Sequence, residues 1–266
     1  DVHGPWQYQG PEGHYRFYNT IDPLLHAEFG VEGAANPAAM ARFAVEHSVW
    51  PPDDTNPLWM HKGSWWIHNR TLHTVFGPIG DLETFVKLSQ LLQAEGLRYS
   101  IEANRRRKWH CAGTAPWQFN ESWPNLACTN VMDFYGQPRP AYWWCKKAYQ
   151  LLHASAAYEK LGWAPGETFR ADVWLNSSVY KGGCTVAWEL CDLTGRTLSA
   201  GEQSASARAG EAMPVATVTW AVAPVPHEVF VLRLRVTNAA GKTSRNDYLF
   251  GGRQEPVLAG LQTLPA

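Results

Sequence analysis

Apolar residues recur at helical spacing over one long stretch of the chain. From Asp81 onward, Leu82, Phe85, Leu88, Leu92 and Tyr99 follow at intervals of three, four and seven, while Glu83, Lys87, Gln90, Gln93 and Arg98 take other faces. The spacing predicts a long helix. Asp81 is placed to cap its first turn, and the "RRRK" run from Arg105 to Lys108 falls where cations oppose the negative helix end. That run predicts a solvated helix terminus rather than a nucleic-acid patch.

A second pattern takes over after about residue 155. Phe169, Ala171, Val173 and Leu175 alternate with polar residues, as do Val186, Trp188 and Leu190, and then Phe230, Leu232, Leu234 and Val236. Turn sequences such as "LTGR" and "NAAGK" separate the runs. Short alternating strands in this number predict an antiparallel, immunoglobulin-like β-sandwich over 155–266. Trp174, Trp188 and Trp220 fall in these strands and are expected to fill the sandwich or cover its surface.

Ahead of the long helix, residues 1–23 are rich in Gly, Pro, Tyr and His without helical period. They predict a loop feeding a short strand that ends at "HAEFG", residues 26–30, after Ile21, Leu24 and Leu25. Residues 31–80 read as irregular, with "PPDDTNP" and Trp50, Trp59, Trp65 and Trp66, and are expected to form the wall of a site. After the helix, "GTAPWQFNESWP" gives a short extended segment, Thr114 to Phe119, followed by turn formers. Strand, loop, helix, strand is the unit of an α/β barrel. The expected fold is therefore α/β plus all-β. Residues 1–154 supply the last segments of a (β/α)8 barrel, at most the final two βα units, and 155–266 form the sandwich, divided near "LLHASAAYEK".

Composition narrows the partner. Lysine plus arginine (23) nearly cancel aspartate plus glutamate (24), so no global field favours nucleic acid or an anionic membrane. Of 14 tryptophans, ten precede residue 150, and indole stacks on the apolar faces of sugars while keeping an N–H donor. The five cysteines, Cys111, Cys128, Cys145, Cys184 and Cys191, lack C-x-x-C spacing and read as buried thiols, not a zinc site or a disulfide framework. There is no apolar run long enough to span a membrane and no signal-peptide pattern. The chain begins at Asp1 without methionine, which points to a processed or truncated piece. Periplasm, extracellular space and cytoplasm all remain open.

Glu28 is the residue that demands chemistry. It leaves an apolar strand as a carboxylate, and burying a charge is costly unless something uses it. At the carboxyl end of a barrel strand it would sit in the mouth built by the βα loops, beside the indoles of Trp117 and Trp123. A carboxylate among indoles suits a retaining glycosidase. A salt-bridged strand end fits the residues equally well. His3, His14, His26, His61, His68 and His73 show no H-E-x-x-H spacing, so packing or sugar hydrogen bonding is expected of them and no metal or cofactor. His26, two residues before Glu28, is the best sugar-contact candidate. Asp53 and Asp54 read as loop, and Arg139 between Pro138 and Pro140 as a helix start.

"HAEFG", then "LETFVKLSQLLQAEGLRYSIEANRRRKW", then "GTAPWQFNESWPNLACTNVMDFYGQPRPAYWWCKKAY" resembles the carboxyl-terminal end of the catalytic barrel of glycoside hydrolase family 2, in its β-mannosidase-like branch. The resemblance covers roughly residues 20–150. It implies that Glu28 is the nucleophile on the seventh strand. Trp117, Gln118 and Asn120 would lie on the eighth strand and the loop after it, lining a sugar pocket with Trp123. Ala27 replaces the commoner serine, and Glu121 stands where β-mannosidases more often carry aspartate. Asn120-Glu121 is similar to the dipeptide that carries the acid/base in such enzymes, but it follows the nucleophile in the chain, so Glu121 reads as a pocket-edge or structural carboxylate. The acid/base is then expected upstream, with strands one to six. The expectation is a retaining β-glycosidase of terminal β-linked sugars, here an incomplete and by itself inactive piece whose partners are a carbohydrate substrate and the upstream part of the same enzyme. A non-catalytic carbohydrate-binding protein with the same aromatic pocket is the alternative.

Overall fold

The computed structural model describes residues 1–44, 48–61 and 69–264. The first part runs β1 (Val2–His3), α1 (Gly13–Thr20), β2 (His26–Phe29), β3 (Gly33–Ala34), α2 (Pro37–Met40), α3 (Pro57–Met60), α4 (Asn69–Phe76), α5 (Leu82–Arg106), β4 (Thr114–Pro116), β5 (Ala127–Cys128) and α6 (Pro140–Ala148). The second part runs β6 (Leu152–Ala157), β7 (Thr168–Ser177), β8 (Gly182–Asp192), β9 (Thr197–Ala207), β10 (Ala212–Ala221), β11 (Val229–Asn238) and β12 (Thr243–Gly251). Trp65, Trp66 and His68, which belong to the expected site wall and the histidine set, lie outside the described residues.

The first part is mixed α/β around a three-stranded sheet, β1-β2-β4, in which both pairings are parallel. A parallel pair needs a crossover, and α5 supplies the one between β2 and β4. Asp81 caps α5 as its position predicts: its carboxylate accepts from the Thr84 N–H at 2.8 Å. Two expectations for this part need correcting. Residues 1–23 are not a loop, since they contain β1, a third parallel strand, and α1, whose His14, Tyr15 and Tyr18 are buried. Residues 31–80 are not uniformly irregular, since β3 and the short helices α2, α3 and α4 occupy much of them.

The second part is antiparallel. Strands β10-β7-β6 form one sheet and β12-β11-β8-β9 the other. Phe169, Ala171, Val173 and Leu175 of β7 and Phe230, Leu232, Leu234 and Val236 of β11 are all buried, so the alternation read along the chain is the inner face of the two sheets. Phe169 meets Phe230 edge-on at 5.3 Å, and Phe230 stacks on Phe250 at 5.5 Å. Trp220 packs on Phe230, and the Trp188 ring lies over Gly201. Strand β6 pairs with β7 from Leu152 to Ala157, so the sheet begins before the expected division at 154/155 and crosses it.

Helix α5 lies between the two parts, which is why its polar residues are buried with its apolar ones. Arg98 passes its guanidinium over the rings of Trp144 and Tyr248 and donates to Glu95 and to the Asp247 carbonyl. Arg105 donates to the carbonyls of Ala148 and Gln150, and Arg106 to that of Ala156 at 3.3 Å. The helix terminus is thus not solvated as expected: its arginines are buried against carbonyl oxygens at the junction of the two parts, which replace water around the charge.

Candidate functional site

Strand β2 carries Glu28 to the carboxyl end of the parallel sheet. The Glu28 carbonyl accepts from the Gly4 N–H at 2.7 Å, and Gly30 donates to the Pro5 carbonyl at 2.9 Å, which fixes the strand against the exit of β1. His26 and Phe29 are fully buried, whereas the Glu28 side chain is 32% exposed. A half-exposed carboxylate is open to a ligand while its strand stays anchored in the sheet. Its nearest basic neighbour in the sheet is His3, with Nδ1 at 3.9 Å from Oε2, and His3 Nε2 lies 3.2 Å from Asp1 Oδ2. His3 is the neighbour that sequence reasoning missed, because a two-residue strand leaves no pattern to detect.

Strand β4 brings the aromatic segment to the same end. Its Trp117 N–H donates to the Phe29 carbonyl at 2.7 Å, one residue beyond Glu28. The indoles of Trp117 (45% exposed) and Trp123 (59% exposed) are open to solvent, as is Phe119. Asn120 is exposed and forms an isolated bridge with Met132. Gln118 is half-buried, and its amide donates to Glu121 Oε1 at 3.3 Å. Glu121 itself is 5% exposed. Gly30 is where the two segments come closest: a Cβ there would stand 2.7 Å from the Trp117 carbonyl oxygen and 2.8 Å from Thr129 Cγ2, so only glycine admits this approach. The Trp117 backbone is thus bonded beside Glu28 at one end of the sheet, and Gln118, Asn120 and Trp123 follow it along the loop.

His26 does not join them. Regular alternation would put residues 26 and 28 on one face, but the ladder slips between His26 and Phe29, and the imidazole turns inward. There Nε2 lies 2.7 Å from the Gly4 carbonyl oxygen and Nδ1 lies 3.1 Å from Asn104 Nδ2. Both ring nitrogens are occupied by the protein, so His26 has none to offer a sugar. Burial holds its pKa below the ordinary histidine value, and the bond that the ring donates to the Gly4 carbonyl only partly offsets this. Arg139 is the N-cap of α6 with Pro140 at the first helical position, and its buried guanidinium donates to the carbonyls of Gly33 and Cys128 at 2.7 and 3.0 Å. Burial lowers its pKa to about 10.

No family model matches the chain. Over 194 residues it is 26% identical to β-mannosidase B of Aspergillus flavus and to that of Aspergillus oryzae, a match covering 68% of this chain and 22% of each of those proteins. It superposes on a β-D-mannosidase from Dictyoglomus thermophilum with a TM-score of 0.72, over 95% of this chain and 31% of that one, at 17% identity. The chain is a relative of the glycoside hydrolase family 2 enzymes. An exo-chitosanase from Amycolatopsis orientalis shares the fold as well, with a TM-score of 0.74 over 99% of this chain and 34% of that one, at 19% identity. What this family 2 relative has in common with them is an α/β part holding a parallel sheet, followed by antiparallel sheets. It spans 22% of the length of the curated β-mannosidases it matches.

Proposed function

We propose that the chain is the carboxyl-terminal portion of a retaining, β-mannosidase-like β-glycosidase that hydrolyses terminal β-linked sugars. In this reading the α/β part, up to about residue 154, is the end of a (β/α)8 barrel, and the antiparallel sheets are an immunoglobulin-like sandwich with β6 as its first strand. The observation that carries it is the pairing of a half-exposed carboxylate, Glu28, with the exposed indole of Trp117 at the ends of two hydrogen-bonded parallel strands. The likeness to β-mannosidases supports the choice of branch.

Glu28 attacks the anomeric carbon. The bond to the leaving oxygen breaks as a glycosyl ester to Glu28 forms, and a second carboxyl about 5 Å away protonates that oxygen. The same group then takes a proton from water, which displaces Glu28 and returns the sugar with its configuration retained. The proton donor belongs to the upstream segment. Trp117 stacks on the sugar, and Gln118, Asn120 and Trp123 line its pocket.

The test is Glu28→Gln in the full-length polypeptide, assayed on nitrophenyl β-mannoside. Turnover should fall by several orders of magnitude with folding retained, and a mechanism-based fluorosugar should label Glu28 and not Glu121. Near-normal turnover in that variant would overturn the reading. A non-catalytic sugar-binding protein would instead bind sugar undiminished and hydrolyse nothing before or after the substitution.

A further inference from the structure

His26 faces away from the sheet's open end, and its surroundings define a different task. The ring is fully buried, stacked on Tyr18 of α1 at 5.7 Å and tilted against Phe29 at 4.7 Å. The Gly4 carbonyl oxygen can only accept, so the Nε2 that lies 2.7 Å from it carries the proton. Nδ1 is then the acceptor, and Asn104 Nδ2 donates to it at 3.1 Å. The same amide nitrogen lies 2.9 Å from Thr114 Oγ1 on β4. Gly4 closes the circuit, because its N–H donates to the Glu28 carbonyl at 2.7 Å. One imidazole and one amide thereby join the exit of β1, the body of β2, the end of α5 and the start of β4.

We propose that His26 and Asn104 are positioning residues for Glu28, and that the neutral imidazole with its proton on Nε2 holds β2 in the slipped register that turns the carboxylate outward. The inference rests on the reading of Glu28 as the nucleophile. A reacting carboxylate misplaced by about 1 Å can lose about 100-fold in rate, so the strand beneath it has to be held from several sides. The circuit also selects one protonation state. An imidazolium would point Nδ1–H at the Asn104 amide donors, and the amide would have to turn over to present Oδ1, which is buried without a hydrogen-bond partner. Burial favours the neutral ring. The charged and titratable groups around it are Arg107, the residue that caps the end of α5, and His3 of β1, which both disfavour a second positive charge, and Tyr18.

The experiment uses the full-length polypeptide and three variants at His26 and Asn104. His26→Leu should keep its melting temperature within a few degrees and leave KM nearly unchanged, while kcat falls by up to about 100-fold. His26→Gln, whose amide can donate toward Gly4 and accept from Asn104, should restore most of that loss. If His26→Leu does not fold, Asn104→Leu, nearly isosteric, supplies the same comparison. Wild-type kcat in the folded leucine variant, or a fall in kcat that His26→Gln does not restore, would overturn the proposal. Glu28→Gln run alongside separates the two claims: if it alone abolishes turnover, the nucleophile reading stands and the positioning role fails.

Discussion

Glu102 of α5 and His153 of β6 lie 2.8 Å apart, carboxylate oxygen to ring nitrogen, with both side chains sealed from solvent. Asn246 donates to the same carboxylate oxygen at 2.7 Å, and the Tyr248 hydroxyl donates to the other at 2.7 Å. One carboxylate from the α/β part therefore satisfies three donors from the sandwich. Burial alone would raise its pKa, but the bond and charge of His153, the charge of Arg98 and the bond from Tyr248 outweigh it and hold the group below the ordinary glutamate value.

Removing that carboxylate should loosen the seam between the parts. Glu102→Ala leaves buried donors without an acceptor and is expected to cost about 3–5 kcal/mol, whereas Glu102→Gln, which keeps one oxygen acceptor, should cost less. Urea denaturation of the three proteins measures this. Equal midpoints for wild type and the alanine variant would mean that the parts do not depend on the network.

Two buried groups should give opposed pH dependences. Glu32, which accepts from the Tyr8 N–H at 3.1 Å, has its pKa raised by burial to about 7. The folded state then binds more protons than the unfolded one, so its contribution is present below the usual carboxylate range and is lost as pH rises toward 7. His14, stacked on Tyr8 at 4.6 Å, has its pKa lowered by burial to about 4. Its contribution is present above the usual histidine value and is lost as pH falls toward 4. Between roughly pH 4.5 and 6.5 the two slopes oppose each other. Glu32→Gln should therefore gain stability relative to wild type as pH rises from 5 to 8, by on the order of 3 kcal/mol at the top of the range. Thermal denaturation across that series would sink the idea if the difference stayed constant with pH.

Gly30→Ala tests the approach of the two site strands. The added methyl meets the Trp117 carbonyl and the Thr129 side chain, and relieving the overlap pulls Trp117 from its bond to Phe29. A loss of about 1–3 kcal/mol is expected, and if Trp117 serves the sugar site proposed above, binding weakens because the indole moves. Isothermal titration with a β-mannoside beside a thermal melt checks both; an alanine variant with wild-type values for the two would show that the backbone yields freely.

The legible parts of this fold were those with a long period and one buried face. The 25 residues of α5 gave room for a helical repeat, and the inner faces of β7 and β11 alternated over whole strands. Short elements were legible only in part: β2 and β4 stand where "HAEFG" and "GTAPWQF" place extended segments, but β1 and the helices α1 to α4 gave no such signal. Leu72, Val75 and Phe76 of α4 have helical spacing, but over eight residues. The buried face of α1 is made of His14, Tyr15 and Tyr18, whose polar atoms hide its apolar character. Strand β9 is mostly polar and exposed, as an edge strand can be, so it carried no alternation. At the site, the succession of motifs led to Glu28 and Trp117, which do stand on neighbouring strand ends. His26 misled because the rule that alternate residues share a face fails where a ladder slips, and nothing in "HAEFG" announces the slip.

The buried arginines at the end of α5 make helix length a gauge. Arg105 and Arg106 read carbonyls on both sides of the junction, so the angular phase at which α5 ends sets where the sandwich docks. Inserting one residue in the middle of α5 would turn everything after it by about 100° and carry the arginines off their acceptors. Substitution within this helix is constrained locally, residue by residue, but a change in its length would be felt by both halves of the chain at once.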